Sequence, residues 1–509
     1  MICLSVCAGK QVLLSGGLIV FAIFLASCGG GSSSTTPAPG SAPPPSSGIP
    51  GLTKLSSDPY TNSQSQHATE VEPSAFSFAS TIVTAFQVGR IFGGGGSDVG
   101  FATSLDGGAT WSSGLLPGIT IFQGGTYSAA SDAAVAYDRS HGVWMIATLP
   151  IGPLTTVGVN RSSNGIHWGN PVIVSATPGA DKPWIACDNT PASPFFGHCY
   201  LEWDDPLSQS LIWLSTSTDG GITWSSPLNT ADLATGVGGQ PVVQPNGTVI
   251  VPIVDGTSTK MVSFRTSDGG ASWQAAVEIS FITDHLVAGG IRTAALPAAA
   301  TDGAGTVYVA WQDCRFRTAC TSNDMVISTS SDGGTWSMPA RVPIEAATST
   351  VDHFIAGLAI DPATSGSRAH LALTYYFYPT TDCTVATCRL SAGVILSSDG
   401  GTTWSGPTTL AGAMSLSSLP NTFSGLMVGD YGSAAYSGGK VFPIVAVAQA
   451  KSGSEFAEAI YTTTAGVTDT EIAVRLSSAN DLPVPDAHSD HPPTQFKDVE
   501  ETGPEAQPR

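Results

Sequence analysis

From about residue 67 to about residue 465 the chain alternates apolar and polar positions in short runs separated by Gly-, Asp- and Ser-rich turns. Alternation with period two places successive side chains on opposite faces of a strand, so each run predicts a half-buried β-strand. The segment Asp324-MVISTS-Ser331 is one example. Such a strand leads, in nearly every case, into one turn motif that occurs six times: Ser104-LDGGAT-Trp111, Ser162-SNGIH-Trp168, Ser217-TDGGIT-Trp224, Thr266-SDGGAS-Trp273, Ser330-SDGGT-Trp336 and Ser397-SDGGTT-Trp404. Successive tryptophans lie 57, 56, 49, 63 and 68 residues apart. Asp-Gly-Gly between alternating strands predicts a hairpin, because glycine supplies the positive φ that the turn demands. The acid can cap turn N–H groups and the tryptophan can pack beneath the hairpin.

Upstream of each motif the layout repeats. An inner strand comes first (beginning near Pro73, Asp132, Lys182, Pro241, Pro297 and His353), then a second strand, a loop and a third strand. After the sixth motif, Gly429-DYGSAAYS, Val441-FPIVAVAQ and Ala457-EAIYTTT form a last unit with no seventh motif, whose missing outer strand the start of the domain would supply. Repeated four-stranded units of this kind predict an all-β fold, a single β-propeller of antiparallel blades. Counting units gives seven blades, with six as the alternative.

The motif resembles the Asp-box (BNR) repeat, S-x-D-x-G-x-T-W, of sialidases and related β-propellers. Asn164 replaces the acid in the second copy, and the fifth copy is one residue short before its tryptophan. The resemblance implies that the boxes sit on the turn between strands three and four, away from the active face. Asp106, Asn164, Asp219, Asp268, Asp332 and Asp399 are therefore expected to be structural.

In a propeller, the loops that enter the inner strands and those joining strands two and three share the opposite face. Glu72, Asp132, Asp181, Asp352, His353 and Asp430 stand at the inner-strand entrances. Acids recurring at one topological position would converge on the channel mouth. There they could bind a cation such as calcium, supply glycosidase carboxylates, or line a wet channel. The reading requires no cofactor.

The resemblance also implies sialidase chemistry, which asks for three arginines on the substrate carboxylate, a tyrosine nucleophile activated by a glutamate, and an aspartate as acid/base. Position suggests Arg90, Arg292 and Arg315 as the clamp, Tyr431 as the nucleophile and Asp98 as the acid, for an exo-α-sialidase-type glycoside hydrolase. The Arg-Ile-Pro segment of that family is absent: Glu72-Pro73-Ser74 stands at the corresponding place, and the only Arg-Ile, at Arg90-Ile91, lies in a later loop. An acidic mouth is also a poor host for an anionic sugar. The alternative is a non-catalytic propeller that binds glycan or protein in the cell envelope.

Composition narrows the setting. Charged residues make only 11% of the 509, and 19 basic against 39 acidic residues give a net charge of −20. With no Lys/Arg run, the chain repels phosphate backbones, which excludes nucleic-acid binding. Lys10 precedes an apolar run from Val12 to Ala26, short for a membrane span and suited to a signal peptide. Leu25-Ala26-Ser27-Cys28-Gly29 resembles the bacterial lipobox, which implies cleavage before Cys28, its lipidation and export to the cell envelope, on the outer membrane in a Gram-negative host. The expected organisation is a signal over 1–27, lipidated Cys28 and a Gly/Ser/Pro tether over 28–51, the propeller over 52–475, and a disordered polar tail over 476–509. The six cysteines beyond Cys28 fall in close pairs, which predicts local disulfides Cys187–Cys199, Cys314–Cys320 and Cys383–Cys388. The expected partner is an extracellular glycan or glycoprotein, engaged by a monomer.

Overall fold

The computed structural model describes Ile49, residues 51–175 and residues 179–468. The signal peptide, Cys28 and the polar tail lie outside the described residues. Among the described residues no helix is long and apolar enough to cross a membrane.

The fold is an all-β propeller built of antiparallel sheets. Its inner strands (Glu70–Phe78, Ala129–Asp138, Asp181–Cys187, Val242–Val243, Ala298–Thr301, Asp352–Ile360 and Ser433–Ser437) pack each against the next, and the last against the first. Among the described residues, sheets of four or more strands number five, not the seven separate four-stranded blades expected. Two causes are visible. The strand Gly96–Ser104 meets the next inner strand at Gly96↔Ala130, which merges the first two units into one eight-stranded sheet. The unit built on Asp181–Cys187 keeps three strands, because its outer segment makes only the isolated bridges Leu214↔Leu228 and Leu211↔Thr235.

The ring closes as the sequence suggested. Leu52–Lys54 pairs antiparallel with Glu458–Thr463, in the register Leu52↔Thr463 to Lys54↔Tyr461, and so completes the last sheet. A parallel bridge, Thr69↔Glu458, ties that sheet to the first inner strand. Leu55 is fully buried directly after the closing strand. The three disulfides form as expected.

Each box turn is held by its own side chains. Ser104 Oγ donates to Asp106 at 2.8 Å and accepts from Gly108 N–H at 2.8 Å. The Asp106 carboxylate accepts from Thr110 N–H at 2.8 Å and from the Thr110 hydroxyl at 2.6 Å. The turns at Asp219, Asp268 and Asp399 repeat this pattern. The second and fifth boxes are both one residue shorter, and there Asn164 and Asp332 each accept two successive N–H groups instead. Gly108, at φ 90°, has no alternative: a Cβ there would stand 2.2 Å from the Phe442 ring. Box turns, inner-strand exits and both described ends of the domain share one face. Gly107 N–H donates to Ser80 O at 2.8 Å, Ser437 Oγ to Ala79 O at 3.2 Å, and Thr464 N–H to Gly51 O at 3.0 Å.

Within the ring, small inner-strand residues such as Ala75, Ala136, Ala186, Ala299, Ala359 and Ala434 line a channel of about 530 Å³. It occupies the half of the ring toward the box turns. The other half is filled by side chains.

Two outcomes test this account. Asp399→Ala removes the acceptor of two turn donors and should lower stability by about 1–2 kcal/mol in denaturant titration, the usual loss for a cap of this kind. The closure seam gives an unusual pH dependence. Burial pushes the Glu70 carboxyl up to about 7, against which Ser56 Oγ, donating at 2.6 Å, only partly acts. A carboxyl whose folded pKa exceeds its unfolded one favours the fold below the unfolded value and loses that advantage as pH rises through the folded value. Stability should therefore fall between about pH 4.5 and 7, by roughly 3 kcal/mol from this group. Glu70→Gln should flatten that slope in urea titrations at several pH values.

Candidate functional site

A β-bulge opens most of the longer inner strands. Register shifts fall between Val71 and Ser74, Ser131 and Ala134, Asp181 and Trp184, and Phe354 and Gly357. In each, the residue two places before regular pairing resumes takes positive φ: Glu72 at 55°, Asp132 at 46°, Lys182 at 45° and Ile355 at 56°. Bulges re-aim side chains, and this one is repeated around the ring. Tyr431, two before the strand Ser433–Ser437, stands at the corresponding place.

The result is a buried, mixed-charge network at the entrance end. Asp430 is its hub. Arg292 donates to Asp430 through Nε at 2.6 Å and again through Nη2, and Lys182 Nζ reaches the same carboxylate at 2.6 Å. Glu72 accepts from Asp430 N–H at 3.2 Å and from Gln87 Nε2, which also bonds Ser131 at 2.9 Å. Arg90 Nη1 donates to Gln87 Oε1 at 3.0 Å and to Gly95 O at 2.9 Å. Burial alone would push the Asp430 carboxyl up, but Arg292 and Lys182 outweigh it and hold the group well below the usual carboxylate range. Burial pushes the Lys182 ammonium down, yet Asp430, Asp181 and Asp132 together keep it well above its ordinary value. Glu72 is driven well up by burial and then by Asp430 and Asp132. The Tyr431 hydroxyl is driven far up by burial and by Glu72, Asp132 and Asp430, so it is a neutral phenol at physiological pH.

Of the residues expected at the mouth, Glu72, Asp132, Asp181 and Asp430 do come together, with Tyr431, Arg90 and Arg292. They form a network of both signs, not a ring of acids. Asp352 and His353 stand apart from it. Asp352 accepts from Asn323 N–H at 2.7 Å and pairs with His285 Nδ1 at 3.1 Å, while His353 Nε2 faces Glu345 at 3.0 Å. The cause is the bulge frame, which places Ile355, three and two residues later, at the position that Glu72 and Asp132 hold elsewhere.

The expected arginine clamp is not assembled. Arg315 lies on a different loop and binds Asp313 through Nε at 2.9 Å and Nη2 at 2.7 Å, with Nη1 on Ser280 at 2.9 Å. Asp98 is buried outside the network, accepting from Tyr60 OH and Val99 N–H at 2.9 Å each, and burial raises its carboxyl to about 7. Trp311 and Tyr376 are buried packing residues.

Two further features shape the site. Glu202 and Asp204 lie buried at alternate positions of the strand Cys199–Asp205, and acids inside an otherwise apolar strand were the available signal. A small hairpin, Asn421–Thr422 paired with Gly425–Leu426, covers the network: Arg292 N–H donates to Leu426 O at 2.7 Å and Arg292 Nη1 to Ser424 Oγ at 3.1 Å. Phe423 at its tip is 39% exposed and its N–H donates to the carbonyl of Phe92, itself 44% exposed, at 3.2 Å. Gln66 brackets the same hairpin, exchanging bonds of 2.7 and 2.9 Å with the Asn421 backbone.

No protein-family model matches the chain, and no curated protein matches it. Several solved structures are similar in fold. A Hadza microbial sialidase shares 16% identity, with 79% of this chain and 67% of that one covered and a TM-score of 0.42. A polysaccharide lyase described as an ulvan lyase shares 11%, with 79% and 95% covered and a TM-score of 0.46. A protein of unknown function from Dyadobacter fermentans shares 16%, with 69% and 100% covered and a TM-score of 0.44.

The hub can be tested directly. Asp430→Asn leaves Arg292 and Lys182 buried without their shared carboxylate and should destabilise the domain by about 3–5 kcal/mol, whereas adding Lys182→Met should recover part of that loss. Thermal and urea unfolding of the two variants measure both.

Proposed function

We propose that this chain is an exported, envelope-anchored propeller that binds glycan through its entrance face without hydrolysing sialosides. The observation that carries the reading is the placement of the arginines. Arg90, Arg292 and Arg315 are each bonded to internal acceptors, so none presents the open planar fork that a sialic-acid carboxylate needs. The neutral, buried Tyr431 is likewise a poor nucleophile.

What the entrance face does expose suits a neutral sugar surface. Phe92 and Phe423, both exposed and joined by a backbone hydrogen bond, lie near Gln66, Asn421 and Ser424, and aromatic rings accompanied by amides and hydroxyls suit the apolar and hydroxylated sides of a pyranose. The loops Cys314–Cys320 and Cys383–Cys388 are clipped on the same face, which reduces the entropy lost on binding. Both described ends of the domain leave from the box face, so a tether anchored there holds the entrance face outward. One observation favours the catalytic reading: Tyr431, Glu72 and Arg292 share one network.

A glycan array with the purified protein should show binding to neutral or mixed glycans, weakened about tenfold or more in Phe92→Ala and Phe423→Ala, the loss of one stacking anchor each. A fluorogenic sialoside should stay intact. Turnover that disappears in Tyr431→Phe and Arg292→Ala would establish the hydrolase instead.

A further inference from the structure

Two groups of buried acids lie apart from the cations of the hub. The first is on the closing seam. Glu70 opens the first inner strand, and Glu458 opens the third strand of the last unit, where a parallel bridge joins it to Thr69. Each is 1% exposed. Ser56 Oγ donates to Oε2 of Glu70 at 2.6 Å, while Oε1 of Glu70 and both oxygens of Glu458 meet no protein donor. The charged and titratable groups that face the pair are Lys54, Asp58, Tyr376 and Tyr461, and Lys54 acts on Glu70 only at a distance. The second group lies between the third and fourth units. Glu202 and Asp204 occupy alternate positions of the strand Cys199–Asp205, so they share one face, and each is 1% exposed.

None of the four oxygens of Glu202 and Asp204 meets a protein donor. Asp181 and Asp132 face Asp204 with like charge, and Lys182, which opposes them, already pairs with Asp430. Gly239 makes room for Glu202: a Cβ there would stand 2.4 Å from that carboxyl. An ionised carboxylate with neither hydrogen bond nor counter-ion is very costly to bury, whereas a protonated one is neutral and brings a donor of its own. Burial pushes Glu70 up to about 7, and drives Glu458, Glu202 and Asp204 well above the carboxylate range, with Glu70 adding to the effect on Glu458 and Asp181 to that on Asp204. The whole chain leans the same way. Its net charge of −20 at pH 7 is a self-repulsion that falls as the medium turns acid.

We propose that protons held by Glu70, Glu458, Glu202 and Asp204 keep the ring closed, and that the propeller is built to act in mildly acidic surroundings. A folded pKa above the unfolded one gives stability that is complete below about pH 4 and is lost as pH rises through the folded value. Asp430 sets the opposite limit. Burial would raise its carboxyl, but Arg292 and Lys182 hold it low, so it contributes stability above about pH 4 and loses it in stronger acid. Together the two limits place the stability maximum near about pH 4–5. Above neutrality the seam pair carries like charges across the contact that closes the ring. The inference stands independently of the glycan reading.

Thermal unfolding of the purified protein should show a midpoint that falls by about ten degrees or more between about pH 5 and pH 8. Urea unfolding in weakly buffered solution near neutrality should release about three protons or more. Infrared spectra at neutral pH should show the carbonyl band of protonated carboxyl groups, reduced in Glu458→Gln and in Glu202→Gln. Each amide copies the shape of the protonated acid, so both variants should fold, keep the midpoint seen in acid and lose less of it in alkali. A wild-type midpoint as high in mild alkali as in mild acid overturns the proposal, and so does the absence of a protonated carboxyl band at neutral pH. If either variant fails to fold, the wild-type midpoints and infrared band still decide.

Discussion

A ring of sheets must meet itself, and here the meeting rests on a strand of three residues. Leu52–Lys54 supplies the last sheet with the edge it lacks, and Leu55 fills the core behind it. Without that pairing the strand Glu458–Thr463 would present free backbone groups on one side, and the inner strands would have no reason to close on a channel. The charges at the entrance depend on this closure. Asp430 and Glu72 belong to opposite ends of the chain, and their contact at 3.2 Å exists only where the last unit abuts the first.

Closure places a charge network where water is scarce. In that setting each side chain is fixed by the others. Asp430 remains ionised because two cations face it, and Lys182 remains charged because several carboxylates do. The same field holds Tyr431 neutral. One arrangement therefore holds a buried ionic hub together and keeps the adjoining Tyr431 phenol neutral. On the entrance face the exposed rings of Phe92 and Phe423 sit on a turn and a hairpin held by backbone and Gln66 hydrogen bonds, apart from the two disulfide-clipped loops.

The sequence made the local features plain. Box turns were legible because every partner of Asp106 or Asp399 lies within four residues, and the cysteine pairs because each closes a short loop. The closing strand was legible as a deficit, a last unit one strand short. What failed was frame and pairing at a distance. Asp352 and His353 looked equivalent to Glu72 and Asp132, but a bulge sets the register at these entrances, and no sequence pattern marks where pairing resumes. Arg292 looked available for a ligand because its partner Asp430 lies 138 residues away. The blade count failed for a similar reason, since a single contact at Gly96↔Ala130 joins two units that the repeats show as separate.

The closing seam also gives the domain a mechanical character. Leu52–Lys54 and Glu458–Thr463 run antiparallel, and the two chain ends emerge side by side at the Gly51–Thr464 contact. Tension applied between those ends pulls across the ladder instead of along it, so its hydrogen bonds bear load one after another, as in a zipper, rather than together, as in shear. Beyond the Val441–Val467 bridge, which such a load meets first, the seam is the next part to yield, and yielding there opens the ring. A load carried on one end alone bypasses the seam, and a propeller tethered through a single arm can ride a moving surface without being pulled apart.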